Sequence, residues 1–293
     1  MHDEFLKINE LLLHATIWGE DAASPVLLLH GMTGQAADWA PTATLLSRDY
    51  RVIALDQRGF GDSVWSAKGA YSLVDYSADV VGLCNALSLS SLRLVGHSFG
   101  ARVAMLTAAQ HPDLITQLAL IDSGPELSPE GVQETREFLG GMPEYFGSLD
   151  EAVTYFQPYY RALDTASLVR RLEGYLKSTG CGWTPKFDKA LRDRIRKRPR
   201  QEEGPDLWEA LRQVRCPALL VRGGNSRTLS EQMAGRMRAA NERLQYAVVA
   251  DSGHNVPGER PEVLAEVLCR FFQTAAAPQA DPGPASDHRS RPS

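Results

Sequence analysis

The sequence lacks the features that mark a membrane-spanning, exported or metal-binding protein. No stretch reaches the roughly 18 consecutive apolar residues that a membrane span needs. The N-terminus, MHDEFLKINE, lacks the basic and then apolar order of a secretory signal. The four cysteines, Cys84, Cys181, Cys216 and Cys269, form no CxxC pair and have no metal-like spacing with histidine. We therefore expect a cytoplasmic protein with free thiols, no membrane association, no metal and no cofactor.

An excess of positive charge is also missing. The chain has 31 Lys and Arg against 36 Asp and Glu, for a net charge of −5. This balance gives no general attraction to nucleic acid, so we expect a small-molecule substrate, with a carrier-bound acyl group as the alternative. One basic run, RDRIRKRPR at 192–200, could be a solvated helix face or could attract an acidic substrate. Nothing in the sequence predicts an oligomeric state.

Short apolar runs alternate with longer helical patterns along most of the 293 residues. The runs are almost continuously apolar, as strands buried on both faces of a parallel sheet are. We therefore predict an α/β fold with a mostly parallel central sheet flanked by helices. Predicted strands cover 5–8 and 12–18 and begin at Val26, Tyr50, Leu92, Ile115, Ala218 and Leu244, and predicted helices cover 73–87, 99–110, 231–241 and 261–272.

The connection from Gly124 to about Arg212 is far longer than an ordinary loop. It contains amphipathic patterns, such as LDEAVTYFQPYYRAL, that predict helices. Its aromatic residues could line a cavity or hold the segment to the sheet, and the sequence does not decide between these roles. We predict a core domain at 1–124 and 212–274, an inserted helical cap at 125–211, and a disordered tail, rich in Pro, Ala, Ser and Asp, at 275–293.

A G-x-S-x-G motif, GHSFG at 96–100, lies on a predicted strand-to-helix turn. A serine on so sharp a turn stands clear of the sheet at a helix N-terminus, where negative charge is favoured. Glycines at 96 and 100 permit the close approach that such a turn requires. Ser98 is therefore the predicted nucleophile.

This turn resembles the nucleophile elbow of the α/β-hydrolase superfamily, and three further loops extend the resemblance. HGMTG at 30–34 is similar to the loop that forms half of the oxyanion hole, DQRGFGDS at 56–63 to a D-x-R-G-x-G-x-S loop, and SGH at 252–254 to the loop after the last strand. The resemblance covers 24–124 and 212–272 but not the cap. It implies a serine-nucleophile, cap-bearing member whose Met32 and Phe99 backbone N–H groups form the oxyanion hole.

A serine needs a neighbouring base, and histidine suits this role because its ordinary pKa lies near neutrality. Six of the seven histidines lie in termini, in an edge strand, before a proline, or in the loop motifs. His254 follows the last predicted strand, where a loop can return over the sheet toward Ser98. His254 is the predicted base.

The acid is harder to assign, because the register that holds it in much of the superfamily contains Asn225 and Ser226. Some members keep the acid after the preceding strand, where this chain has Asp122. We predict Asp122, whose strand should lie beside that of Ser98. Three alternatives stay open: Asp122 only caps a turn, Asp251 is the acid, or Asn225 or Ser226 orients His254 in a dyad.

These residues predict a serine hydrolase that cleaves a small or medium ester, lactone or thioester through an acyl-enzyme. The same constellation also suits a C–C bond hydrolase, or an acyltransferase or cyclase that excludes water. A non-catalytic ligand-binding protein is a third class, against which the presence of both Ser98 and His254 counts. Asp56, Arg58 and Asp62 are expected to brace the loop that contains them.

Overall fold

The computed structural model describes residues 1–126, 128–160, 163–197 and 204–274, without the side chains of 194–197. The predicted tail at 275–293 and the basic side chains at 194–200 lie outside the described residues. Within the described ranges, no helix combines the length and the apolar composition needed to cross a lipid bilayer.

A single eight-stranded sheet forms the centre of the described chain, in the order β1-β2-β4-β3-β5-β6-β9-β10. The first two strands pair antiparallel with each other, β2 pairs antiparallel with β4, and the remaining pairs are parallel. The predicted mostly parallel sheet is therefore confirmed. The strands are β1 (His2–Ile8), β2 (Leu11–Trp18), β3 (Pro25–Leu29), β4 (Arg51–Leu55), β5 (Leu92–His97), β6 (Ile115–Ile121), β9 (Ala218–Gly223) and β10 (Leu244–Val249); β7 (Leu176–Ser178) and β8 (Trp183–Pro185) lie outside this sheet.

Both faces of the sheet are covered, which explains the continuous apolar runs. In β3, Leu27 and Leu29 join the hydrophobic cluster on one face, while Val26 and Leu28 join the cluster on the other. All four side chains are fully buried. One face packs against α2 (Leu73–Ala86), α3 (Phe99–Gln110), α8 (Leu207–Gln213) and α9 (Glu231–Ala240), and the other packs against α1 (Ala40–Leu46) and α11 (Pro261–Thr274).

The described residues between β6 and α8 form what we call the insert. It is mainly helical, as the sequence pattern predicts, but it also contains a short hairpin that the sequence analysis did not predict. Strands of three residues are too short to show alternation. The division into a core domain and a cap stays a prediction. The elements are α4 (Pro129–Gly141), α5 (Leu149–Phe156), α6 (Thr165–Tyr175), β7 (Leu176–Ser178), β8 (Trp183–Pro185) and α7 (Lys189–Lys197).

Parallel strands end at the same side of the sheet, which we call the carboxyl edge. The loops that follow β3, β5, β6 and β9 all begin there, and so does the loop after β10. In open α/β sheets this edge is where ligands bind. The fold therefore gathers chemistry from distant parts of the chain at one edge.

The turn from β5 into α3 is packed so closely that two of its positions accept only glycine. A Cβ atom on Gly96 would lie 2.2 Å from the carbonyl oxygen of Gly100. A Cβ atom on Gly100 would lie 2.4 Å from the carbonyl oxygen of Leu29. Backbone atoms cannot move aside as a flexible side chain can, so these glycines fix the approach of α3 to the sheet.

We expect Gly96→Ala to lower the free energy of unfolding by about 1–3 kcal/mol, because its methyl group meets backbone. Gly235→Ala is the matched control, since Gly235 lies in α9 with open space around its Cβ position. Helix propensity predicts that the control gains about 0.5–1 kcal/mol. Urea denaturation of both variants measures the difference, and equal effects would contradict this account of the turn.

Candidate active site

Ser98 lies between β5 and α3 in a backbone conformation that residues other than glycine rarely adopt. Its φ of 52° and ψ of −114° place it outside the common regions. The Ser98 N–H donates to the carbonyl oxygen of Ile121 at 2.9 Å, which anchors the turn to the neighbouring strand β6. Such strain persists only where the surroundings hold it, and it clusters at functional sites.

Three predicted side chains meet in one continuous chain of hydrogen bonds. His254 Nε2 lies 2.9 Å from Ser98 Oγ, and His254 Nδ1 lies 2.7 Å from Asp122 Oδ2. A carboxylate can only accept, so the Nδ1 proton points at Asp122 and leaves Nε2 free to accept from the serine hydroxyl. The arrangement can therefore take a proton from Ser98.

Asp122 is fully buried, and its carboxylate is held from several directions. The Gly223 N–H donates to Oδ1 at 2.9 Å, and the Ser226 hydroxyl donates to Oδ2 at 2.5 Å, in addition to the bond from His254. A buried carboxylate without such partners would be costly. Ser226 lies in the register where the resemblance suggests an acid. Its hydroxyl thus binds the carboxylate of Asp122, which follows the neighbouring strand β6. The sequence analysis missed this supporting role.

The other candidate partners of His254 make different contacts. Asp251 is exposed, and its carboxylate lies 3.6 Å from the guanidinium of Arg260. The Asn225 N–H donates to the carbonyl oxygen of Ser252 at 2.8 Å. Geometry therefore favours Asp122 as the partner of His254, while the catalytic roles of these residues stay a proposal.

The loop after β3 approaches Ser98 from the other side. A Cβ atom on Gly31 would lie 3.2 Å from Ser98 Cβ, so this loop lies directly against the serine. Among the described residues, neither the Met32 N–H nor the Phe99 N–H donates to a turn or loop carbonyl. Phe99 is the first residue of α3, where backbone N–H groups have no partner within the helix. The role of both groups in an oxyanion hole stays a prediction.

Two hydrogen bonds that the sequence analysis missed fix the loop carrying His254. His97 Nε2–H donates to the carbonyl oxygen of His254 at 2.8 Å. Glu259, in the short helix α10 (Val256–Glu259), accepts from the Gly253 N–H at 2.6 Å. Neither residue carries a single-sequence signal for this role, because the partner in each case is backbone.

Burial, with a smaller contribution from the neighbouring His254, lowers the pKa of His97 to about 3. His97 is therefore neutral at physiological pH, as a buried donor to a carbonyl oxygen should be. Its Nε2 carries the proton, because the His254 carbonyl can only accept.

A cavity of about 280 Å³ lies over Ser98 and His254. This volume is close to the lower end of the roughly 300–1,000 Å³ range of ligand pockets. The insert supplies much of its wall, including the aromatic residues Phe138, Tyr159 and Tyr160. Other aromatic residues of the insert, such as Phe146 and Phe156, are buried in packing. Apolar lining residues are Met32, Trp39, Phe138, Leu139, Tyr159 and Tyr160.

The 56–63 loop braces the structure beside the site. The Asp56 carboxylate accepts from the Ala36 N–H at 2.5 Å and from the Asp62 N–H at 2.9 Å. Arg58 forms two hydrogen bonds with the buried carboxylate of Asp79, at 2.5 and 2.6 Å. These three charged residues of the loop are not among those that line the described cavity.

Among the described residues, His14, Asp56 and Asp62 bring potential metal-ligand atoms within 4.8 Å of one another. Burial opposes a charge on His14, but the hydrogen bond to Asp56 and the negative charges of Asp56, Asp3 and Asp62 together outweigh burial and raise the pKa of His14. A raised pKa favours the protonated imidazole, which is the form that does not bind a metal. Asp62 also pairs with Lys186 at 2.9 Å. This group therefore has the contacts of an ion-pair cluster.

Comparisons with known proteins give a consistent picture. A family model described as the alpha/beta hydrolase fold matches residues 24–261. The 2-(acetamidomethylene)succinate hydrolase of Mesorhizobium japonicum is 28% identical over 86% of this chain and 90% of the relative. The 3-hydroxybutyrate-oligomer hydrolase of Cupriavidus necator is 28% identical over 88% and 92%. A crystal structure of E-2-(acetamidomethylene)succinate hydrolase superimposes with a TM-score of 0.84 at 26% identity, covering 93% of this chain and 99% of the other.

The low pKa of His97 predicts a loss of stability in acid. Unfolding returns the imidazole to its ordinary pKa of 6.5 from about 3. Between these values the unfolded chain binds a proton that the folded chain excludes, so stability present above pH 6.5 falls as the pH falls. His97→Gln keeps an N–H donor without titrating. Its free energy of unfolding should rise relative to wild type by up to about 1.4 kcal/mol per pH unit below that pH.

Urea denaturation of wild type and His97→Gln at about pH 7 and about pH 5 tests the linkage. A stability difference that is the same at both pH values would show that His97 does not titrate on unfolding.

Proposed function

This chain belongs to the α/β-hydrolase family, and from that premise we propose that it is a serine hydrolase acting on a small or medium ester, lactone or thioester through an acyl-enzyme. The hydrogen-bond chain Ser98–His254–Asp122 is the observation that carries the proposal. The two curated relatives compared above are both named as hydrolases, which supports hydrolysis as the reaction type.

In the first half-reaction, Ser98 Oγ forms a bond to the carbonyl carbon of the substrate. Its proton passes to His254 Nε2, and the carbonyl electron pair moves onto the oxygen. Collapse of this tetrahedral species breaks the bond to the leaving group. The leaving alcohol, thiol or ring oxygen takes the proton back from Nε2, and the acyl group stays on Ser98.

Asp122 acts on His254 throughout both half-reactions. Its carboxylate holds the Nδ1 proton in place and stabilises the imidazolium while Nε2 carries the transferred proton. The donors on Asp122 from Gly223 and Ser226 keep the carboxylate in position. A buried carboxylate fixed in this way needs no rearrangement when charge develops on the imidazole.

The developing oxyanion needs donors aimed at it, and the Met32 and Phe99 N–H groups supply them in this proposal. Phe99 begins α3, so the helix dipole adds to the stabilisation of negative charge. Each such donor is worth roughly 3–4 kcal/mol of transition-state energy in other acyl-transfer enzymes. Because both donors are main-chain groups, the proposed oxyanion stabilisation does not depend on the side chains of Met32 and Phe99.

In the second half-reaction, water replaces the leaving group. His254 Nε2 takes a proton from water, and the hydroxide oxygen bonds to the acyl carbon. Collapse releases the carboxylic acid, and Ser98 Oγ recovers its proton from Nε2. The aromatic wall from the insert suits an apolar acyl or leaving group, and the volume of about 280 Å³ favours a small one.

Ser98→Ala should abolish labelling by a fluorophosphonate probe and lower kcat for p-nitrophenyl esters by roughly 10⁴-fold or more. The substitution removes the atom that bonds to the acyl group while leaving the fold intact. Hydrolysis in ¹⁸O-labelled water should place one label in the released acid, which separates hydrolysis from acyl transfer. Wild type that neither turns over these esters nor reacts with the probe would refute the proposed function.

Asp122→Asn should lower kcat by about 10³–10⁴-fold, because an amide can place an N–H where the carboxylate accepted and favour the wrong tautomer of His254. Asp251→Asn is the matched control, since its carboxylate is exposed and lies 3.6 Å from the guanidinium of Arg260. The control should change kcat by less than about twofold. Steady-state kinetics of both variants decide the acid, and a large loss confined to Asp251→Asn would reverse the assignment.

A further inference from the structure

An ion pair joins the insert to the segment that follows the 30–34 loop. The guanidinium of Arg171, on α6, donates to both carboxylate oxygens of Asp38, with Nη2 lying 2.8 Å from Oδ2. Asp38 lies in a single 3-10 turn, Ala36–Trp39, only four residues after Gly34. Both side chains are only 16% exposed, so solvent and salt screen the pair weakly. Two parallel bonds fix orientation as well as distance.

Each partner of this Arg171–Asp38 ion pair, which we call the joint, also has contacts within its own part of the chain. Asp38 Oδ2 accepts from the Gln35 N–H at 3.1 Å, so the carboxylate that binds Arg171 also binds loop backbone. The guanidinium lies over the ring of Tyr160, with Cζ 4.8 Å from the ring centre. Burial opposes the charge of Arg171, but Asp38 and Tyr160 together outweigh burial and raise the pKa of Arg171. The guanidinium therefore keeps its charge although it is buried.

The loop between β3 and this turn contains a conformation that needs such support. Thr33 is 4% exposed and has a φ of 66°, which is an outlier for a β-branched residue. A strained residue persists only where its surroundings over-determine it. From the core side, the Gln57 side chain donates to the carbonyl oxygen of His30 at 2.7 Å. From the insert side, Arg171 holds the far end through Asp38.

A second contact from α6 falls on the same segment. A Cβ atom on Gly174 would lie 2.9 Å from Gln35 Nε2, so the helix lies directly against Gln35 three residues along from Arg171. Met32, whose N–H is the proposed oxyanion donor, is three residues before Gln35. The insert is thus packed onto the segment whose backbone must be aimed correctly.

We propose that Arg171 is a positioning residue that acts through Asp38 to hold the 30–34 loop, and with it the Met32 N–H, in the orientation required for oxyanion stabilisation. This inference rests on the proposed function and adds to it a dependence of chemistry on docking of the insert. Loss of the joint lets the loop relax while Ser98, His254 and Asp122 keep their mutual contacts. Because the oxyanion exists only in the transition state, kcat should fall while KM changes little.

Arg171 also lines the cavity, so a direct contact with an anionic substrate is the competing explanation. Asp38 already occupies both terminal nitrogens of the guanidinium. Glu134 and Glu259 line the same cavity, which opposes an anion there. The two roles predict different kinetics with a neutral ester, since direct recognition of an anion would leave a neutral substrate unaffected.

The test uses the full chain with Arg171→Met, Arg171→Lys, Asp38→Asn and the double variant Asp38→Asn/Arg171→Met. The substrate is p-nitrophenyl acetate, which is neutral and small. Arg171→Met and Asp38→Asn should each lower kcat by about 10–100-fold with KM within about threefold. The double variant should be no worse than the singles, because both remove one joint. Arg171→Lys keeps the charge without the fork and should retain an intermediate kcat.

Inhibition by phenylboronic acid adds a readout that stability alone would not move. The tetrahedral boronate adduct of Ser98 carries a formal negative charge on boron and places a boronate oxygen in the oxyanion position, so its inhibition constant should rise in parallel with the loss of kcat. Lys186→Met is the matched control. Lys186 joins the insert to Asp62 at 2.9 Å, and neither residue belongs to the 30–34 loop or lines the cavity. Its loss should therefore leave kcat and boronate affinity unchanged.

Several outcomes would overturn the inference. Folded Arg171 variants with a lower melting temperature but wild-type kcat and boronate affinity would make the pair merely structural. A rise in KM confined to an anionic ester, such as p-nitrophenyl hemisuccinate, would make Arg171 a substrate-binding residue. An equal loss of kcat in Lys186→Met would make docking of the insert in general responsible. Inactive, unlabelled wild type would instead refute the proposed function itself.

Discussion

The hydrogen bond from His254 Nδ1 to the buried carboxylate of Asp122, at 2.7 Å, is the interaction on which the rest of the site depends. It fixes the imidazole tautomer, and thereby decides that Nε2 faces Ser98 as an acceptor. A carboxylate with no solvent exposure is tolerated only with several donors. Gly223, at the end of β9, and Ser226, in the loop that follows, provide two of them. Asp122, its supporting donors and His254 therefore form one hydrogen-bonded unit, which can exist only where β6, β9 and β10 end at the same edge.

The parallel sheet brings these residues together at one edge. Ser98, Asp122 and Gly223 each lie at the carboxyl end of a strand, and β5, β6 and β9 are neighbours in the sheet. Adjacent strands are about 4.8 Å apart, so side chains at consecutive strand ends are within reach of one bridging imidazole. Strain at Ser98 and Asp122, both with positive φ, turns these side chains out of the sheet and toward one another. The packed strands below supply the rigidity that holds the strain.

This dependence on strand ends explains how much the sequence could predict. Apolar runs and turn glycines gave the sheet, the elbow at Ser98 and the position of His254, because each signal is local and has a physical cause. The assignment of Asp122 required both the strand order that the resemblance implies and the absence of a carboxylate at 225–226. The hydroxyl of Ser226 as a donor to Asp122 gives no signal of its own, since serine is common in turns. Short elements, such as the turn at Ala36–Trp39 and the β7–β8 hairpin, contain too few residues to show a period.

The contacts that the sequence could not predict are those between the insert and the edge of the sheet. Arg171 and Asp38 are 133 residues apart, Arg171 follows a pattern typical of a solvated helix face, and the turn that contains Asp38 is too short to show a period. Phe138 gives no indication that it faces a cavity and not the packing of the insert. In the proposed reaction these contacts decide what the site can accept, because the edge supplies the proposed reacting groups while the insert supplies much of the cavity wall. If the insert also holds the 30–34 loop through Arg171, substrate selection and transition-state stabilisation both depend on the position of the insert. A change in the insert that alters the cavity would then also alter the rate of the chemical step, even though no reacting atom belongs to the insert.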